Sequence, residues 1–198
     1  MAKHQNKLTT KIIAGKYRGK ILELPSLDTT RSTKSILKES FFNVLQYDII
    51  DTTFVEAFGG SGSIGLEAIS RGAESAYFCE IDRKSYKTLD KNCQSIEPES
   101  CNIIFGDSFE KLPQLFTSLK ASDKQIIVYI DPPFDYRDGM DGIYDNCFDL
   151  VRNIENENIL LLVFEHFTDQ DIPDTLGKFE KYKSKKFGKS SLSYFQLK

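Results

Sequence analysis

Thr53-Phe-Val-Glu56-Ala-Phe58-Gly-Gly60-Ser-Gly62-Ser-Ile-Gly65 is the stretch that decides the fold of this 198-residue chain. It starts as a short apolar run ending in a carboxylate. It then becomes a glycine turn that opens into a helical segment, Leu66–Ser70. Glycine lets the backbone turn tightly and approach a ligand, and a helix N-terminus presents unpaired N–H groups. Further apolar segments lie at Ala76–Ile81, Asn102–Phe105, Gln125–Asp131 and Ile159–Glu165, with polar, amphipathic stretches of helical length between most of them. That order predicts a parallel sheet covered on both faces. Glu180–Phe187, Gly188 and Ser191–Leu197 read as a terminal antiparallel hairpin. Upstream, Lys11–Ala14 and Lys20–Leu24 flank a Gly15…Gly19 turn and predict another hairpin, closed off by Pro25. Thr33 is placed to cap a helix in which Leu37, Phe41 and Leu45 recur every four residues. The expected architecture is α/β: a Rossmann-like doubly wound sheet with a terminal antiparallel hairpin. Residues 1–50 form an N-terminal β-hairpin and helix extension within the same domain, and residues 51–198 form the core.

Ligands of doubly wound sheets bind at the carboxyl ends of the strands. There, Gly60, Gly62 and Gly65 spell G-x-G-x-x-G, and Glu80 follows Gly60 by twenty residues, in Phe78-Cys79-Glu80-Ile81-Asp82. A carboxylate at that position can accept both hydroxyls of a ribose. A nicotinamide dinucleotide and S-adenosylmethionine both fit this pattern. Asp107 and Ser108, after the third strand, either receive an adenine amino group or cap a helix. The fourth strand separates the two cofactors, because it ends in Asp131-Pro132-Pro133-Phe134. The prolines stop the strand and leave carbonyls without neighbouring N–H donors, beside a carboxylate and an aromatic face. An exocyclic base amine is a poor nucleophile because its lone pair is delocalised into the ring. Asp131 and a proline carbonyl accepting its hydrogens would turn that lone pair towards a methyl sulfonium, with Phe134 stacked on the base. Catalysis of this kind is mostly orientation, and hydride transfer has no use for the tetrapeptide. The catalytic candidates are therefore Asp131, Pro132, Pro133 and Phe134. The cofactor-binding candidates are Glu56, Phe58, Gly60, Gly62, Glu80, Asp107 and Ser108.

Composition is that of an ordinary globular protein, 40% hydrophobic and 28% charged. The longest apolar run, Ile159 to Phe164, is far too short to span a bilayer. The basic N-terminus has no apolar segment of the kind that directs secretion. Cys79, Cys93, Cys101 and Cys147 lack C-x-x-C spacing and read as free thiols in a reducing cytoplasm. The only histidines are His4 and His166, so neither a metal nor a Ser-His-Asp arrangement is expected; His166 is read as structural. Net charge is only −3, but it is unevenly placed. Residues 1–20 hold six Lys/Arg and no acid, and residues 178–198 hold seven lysines against Glu180. Two cationic ends on an acidic body suit a polyanionic partner.

With these pieces placed, the chain resembles, nearly end to end, the RsmD-type family of 16S (small-subunit) ribosomal RNA guanine-N2 methyltransferases. Ile12-Ile-Ala-Gly-Lys-Tyr-Arg18-Gly19-Lys20 is similar to the family's hairpin, and Arg31-Ser-Thr33-Lys-Ser-Ile-Leu-Lys38-Glu39-Ser-Phe-Phe42-Asn43 to its following helix. Glu56 to Gly65, Phe78 to Asp82, Asp131 to Phe134 and Gly188 to Tyr194 complete the match. Ser32, Ser35 and Ile36 stand where the family usually has Pro, Asp and Arg; Glu56 replaces an Asp and Gly59 a common Ala. The resemblance implies a class I S-adenosylmethionine-dependent methyltransferase fold. The expected reaction is methylation of the N2 amine of a guanine in 16S ribosomal RNA, free or within the small ribosomal subunit, in the cytoplasm. Lys11, Lys16, Arg18, Lys20, Arg31 and Lys38 are then expected on RNA phosphates. Two alternatives are a DNA adenine-N6 methyltransferase, for whose target-recognition domain 198 residues leave little room, and a non-catalytic cofactor-binding RNA-assembly module, against which the intact Asp131–Phe134 loop argues.

Overall fold

The computed structural model describes residues 8–25, 31–133 and 142–198, and the backbone alone of residues 31–34. In chain order the elements are β1 (Thr9–Lys11), β2 (Ile21–Glu23), α1 (Arg31–Val44), β3 (Thr53–Glu56), α2 (Gly65–Ser70), β4 (Ser75–Glu80) and α3 (Arg83–Ile96). There follow β5 (Cys101–Phe105), α4 (Ser108–Leu119), β6 (Ile126–Ile130), α5 (Ile143–Arg152), β7 (Ile159–Phe167), β8 (Thr175–Leu176), β9 (Phe179–Phe187) and β10 (Ser190–Leu197).

β1 and β2 form a small antiparallel hairpin, while the main sheet has the order β5-β4-β3-β6-β7-β10-β9-β8. From β5 to β7 all pairings are parallel, and β10, β9 and β8 add on antiparallel. Chain direction across the sheet reverses between β3 and β6, which opens a crevice at their carboxyl ends. Every residue of β3 and of β6 is buried, as expected of strands sandwiched between two layers. One face carries α4 and α5, whose Leu112, Phe116, Phe148 and Val151 pack on Val55, Val128 and Phe164. The other carries the hairpin and α1 to α3, where Ile12, Leu22, Phe41, Leu66 and Leu89 pack on Phe54, Phe78 and Tyr129.

The structure departs from the sequence reading most at the first hairpin strand, at the start of α1 and in one added strand. Lys11–Ala14 was expected as strand, but β1 ends at Lys11, because the N–H groups of Ile13 and Ala14 turn to the Glu67 carboxylate at 2.7 and 3.0 Å. Thr33 does not cap α1: the helix already begins at Arg31, which leaves Thr33 in its first turn. β8 was not foreseen at all; two residues that pair with Phe179 and Glu180 carry no periodicity to read.

Candidate active site

Strand register builds the site. Glu56 at the end of β3 pairs with Phe78 of β4 on one side and Tyr129 of β6 on the other. Glu80 and Asp131 therefore each lie two residues beyond that level, flanking the point where the chain leaves β3 for the glycine turn. Gly60 takes φ +52°, and a Cβ built on it meets nothing within 4 Å. The turn thus needs glycine for its backbone there, and the space above it is open. Gly65 is different: a Cβ would lie 2.3 Å from the Phe78 ring, so here glycine permits close packing of α2 on the sheet.

The carboxylates differ in kind. Glu80 is held by backbone donors on both oxygens, Gly60 N–H on Oε2 and Asp82 N–H on Oε1, each at 2.7 Å. Its carboxylate is fixed at the rim of the open turn, and partial burial raises its pKa. Glu56 is only 6% exposed and accepts from Gly65 N–H at 2.8 Å. Burial, reinforced by nearby Asp131, pushes its pKa up to about 8. Expected as a cofactor contact, Glu56 uses that oxygen to anchor the start of α2. Asp107 caps α4 by accepting from Phe109 N–H at 2.8 Å. Ser108 is buried and donates to the Ala57 carbonyl, so it turns inward, contrary to its expected place on the cofactor. Phe58 is half-buried and meets Phe109 edge-on, with ring centroids 6.0 Å apart.

Asp131 and Pro133 are half-buried and Pro132 is buried at the end of β6; Phe134 lies outside the described residues. Beneath them Tyr129, wholly buried, donates its hydroxyl proton to Glu165 at 2.6 Å. Burial and the carboxylates of Glu165 and Asp131 raise the Tyr129 pKa strongly, so the phenol stays a donor. His166 is tied within the sheet to Ser193 Oγ at 2.9 Å and the Phe167 carbonyl at 2.7 Å.

Lys11, Lys16, Arg18 and Lys20 are exposed around the β1–β2 turn, with Lys16 paired to Glu97 at 2.9 Å. The Arg31 side chain lies outside the described residues. Lys38 corrects its expectation: it is 3% exposed, 3.3 Å from Glu67 and 2.9 Å from the Lys11 carbonyl. Burial lowers its pKa, and an ammonium enclosed in this way cannot reach a phosphate. The sequence reading also missed three residues that join the extension to the glycine turn. Glu67, fully buried, accepts from Ile13, Ala14, Lys38 and Arg71. Ser70 accepts from Tyr17 N–H and donates to the Ala14 carbonyl. Buried Asn92 reaches both Glu23 of β2 and the Ser61 carbonyl in the glycine turn itself. No sequence signal marks them, because a charged or amide residue in an amphipathic helix reads as solvated.

A reversal between β3 and β6, a glycine turn beside a fixed carboxylate, and an antiparallel hairpin after β7 define the class I S-adenosylmethionine-dependent methyltransferase fold. The chain belongs to the family described as Conserved hypothetical protein 95, which matches residues 10–196 and is the RsmD-type family. It is 33% identical over 131 residues to Ribosomal RNA small subunit methyltransferase D of Escherichia coli K12, a match covering 66% of this chain and 63% of that relative. The chain thus spans less than two thirds of that relative's length. It is 24% identical over 186 residues to "Putative rRNA methyltransferase YlbH" of Bacillus subtilis 168, covering 94% of this chain and 98% of the other. Among solved structures it is similar to "Putative methyltransferase yhhF" from Escherichia coli, with TM-score 0.72, 26% identity, and coverage of 96% and 99%.

Proposed function

We propose that this protein transfers a methyl group from S-adenosylmethionine to the exocyclic N2 amine of a guanine in 16S ribosomal RNA, in the cytoplasm. The observation that carries the reading is the pairing of Asp131-Pro132-Pro133 with the open Gly60–Glu80 cradle across the end of β3. Open space over a glycine beside a backbone-fixed carboxylate fits a nucleoside. Glu80 would hold the ribose hydroxyls, Asp107 the adenine amine, and the Gly60 turn the part of the cofactor nearest the chain. When bound, the cofactor supplies an electrophilic methyl group on sulfonium sulfur. The chain's own work is orientation. Asp131 and a proline carbonyl accept the two amine hydrogens and fix the direction of the nitrogen lone pair. The methylated amine is acidic enough to release its extra proton to water or to Asp131.

The names of the matched relatives support ribosomal RNA as substrate, and the guanine N2 position rests on the family resemblance. Nucleoside mass spectrometry of ribosomal RNA from cells with and without the gene tests the proposal. N2-methylguanosine is expected to disappear from 16S ribosomal RNA in the deletion strain. A modification profile identical in the two strains would contradict the proposal.

A further inference from the structure

Residues 178–198 hold seven lysines against one acid, and methyl transfer as derived above uses none of them. Their placement is informative. β10 is antiparallel to both β7 and β9, so β9 runs parallel to β6 and its last residues reach the edge that carries Asp131. Ile130 pairs with Phe164, Phe164 with Ser193, and Ser193 with Ser184. One residue further along each strand, Asp131 is level with Glu165, Leu192 and Lys185. Three strand spacings of about 4.8 Å separate the ends of that row, about 14 Å in all. Lys186 comes next on β9 and, by strand alternation, points to the face opposite Lys185, while Lys189 lies in the turn to β10.

These lysines are exposed. Lys183 and Lys185 pair with Tyr194 and Leu192, which belong to the core under α1, so both rise on the α1 face. Lys185 Nζ donates to Ser40 of α1 at 2.6 Å and lies 5.3 Å from the centre of the Phe187 ring; Lys183 lies 5.5 Å from that of Tyr194. Lys178 and Lys181, further from the site, are matched by Glu157 and Asp174. Among the described residues no carboxylate pairs with Lys183, Lys185, Lys186 or Lys189.

We propose that this lysine row is a second contact surface for the substrate RNA. The phosphate backbone next to the target base crosses the ends of β7 and β10 and lies along Lys183, Lys185 and Lys189. The proposal rests on the RNA methyl-transfer reading above. Uncompensated positive charge about 14 Å from the candidate catalytic carboxylate, on the same edge of the sheet, complements the polyanion whose base must reach it.

The test is a salt series of binding to a fluorescent 16S ribosomal RNA transcript, followed by anisotropy. It compares the wild-type protein with the K183Q/K185Q/K189Q variant, and with K120Q/K124Q, which removes two lysines from the opposite end of the sheet. Each lost phosphate contact lowers the slope of log affinity against log salt by about 0.7 on single strands, so the triple variant should lose about 2. The K120Q/K124Q control should keep the wild-type slope, and calorimetry should show unchanged binding of S-adenosylhomocysteine by the triple variant. A wild-type slope in the triple variant, or an equal loss in the control, overturns the surface and leaves the reaction standing. Absence of any salt-dependent binding by the wild-type protein, both to the transcript and to small-subunit particles lacking the modification, overturns the functional reading together with it.

Discussion

At the scale of single residues, Asp131 separates a functional loop from a mere strand stop. If it acts as an oriented acceptor, an amide in its place still offers one carbonyl oxygen. Asp131→Asn is therefore expected to retain part of the single-turnover methylation rate on small-subunit particles lacking the modification. Asp131→Ala should lose several orders of magnitude, each tenfold worth about 1.4 kcal/mol of barrier. S-adenosylhomocysteine binding should survive both changes, because Glu80 and the glycine turn are untouched. Near wild-type turnover in a folded, ligand-binding Asp131→Ala protein would refute the mechanism. Glu56 gives a different kind of prediction. Its folded-state pKa is about 8 against 4.5 for the ordinary group, so between those values the folded protein holds a proton that the unfolded chain has released. Its stabilising contribution is complete below pH 4.5 and is lost as pH rises to about 8. Across that window the melting temperature of the wild type should fall relative to that of Glu56→Gln. Parallel pH profiles of the two proteins would mean that Glu56 is ionised when folded.

At the scale of elements, the strands were legible where their chemistry is monotonous. β3 and β6 lie between two layers, so their apolar runs announce them, and the glycine turn and Asp131 follow at strand ends that the runs define. What stayed hidden were polar residues that serve the interior. Glu67 and Asn92 resemble solvent-facing helix positions in sequence, and only the docking of the extension makes them buried. The same docking makes Lys38 structural, although Arg18 and Lys20 are exposed and free to meet a ligand. Removing a buried carboxylate that accepts from four donors leaves those donors unsatisfied, at about 1–3 kcal/mol for each group. Glu67→Ala should therefore free the β1–β2 turn from α2. Hydrogen exchange should show faster amide exchange at Ile13 and Ala14, while β6 and β7 stay protected. Unchanged protection at those two amides would mean that the apolar contacts of Ile12 and Leu22 alone hold the hairpin.

At the scale of the whole molecule, two cationic surfaces lie apart on the fold: the β1–β2 turn meets Ser70 and Glu97 at the carboxyl ends of α2 and α3, whereas the lysine row stands at the carboxyl edge of the sheet. The β1–β2 hairpin lies against α2 and α3, through Ser70 and Asn92, while the lysine row lies on β9. Between β4, which α2 and α3 cover, and β9 the sheet order places five strand spacings, about 24 Å. Sites separated by more than about 10 Å with no shared partner contribute additively. An RNA strand held on both surfaces should thus report them as independent terms. R18A/K20A removes two exposed cations from the hairpin and should lower the salt slope by about 1.4 to 1.8. Combined with the β9 triple change, the two losses in slope should add, since neither surface touches the other's contacts. Lys38→Met serves as the internal contrast. It removes a charge the RNA cannot reach, so it should alter the melting temperature without altering the slope. A slope for R18A/K20A equal to that of the wild type would make the hairpin a packing element and leave the grip on RNA to the β9 edge. Strongly non-additive losses would instead mean that the two surfaces hold the same phosphates, which a separation of about 24 Å does not allow.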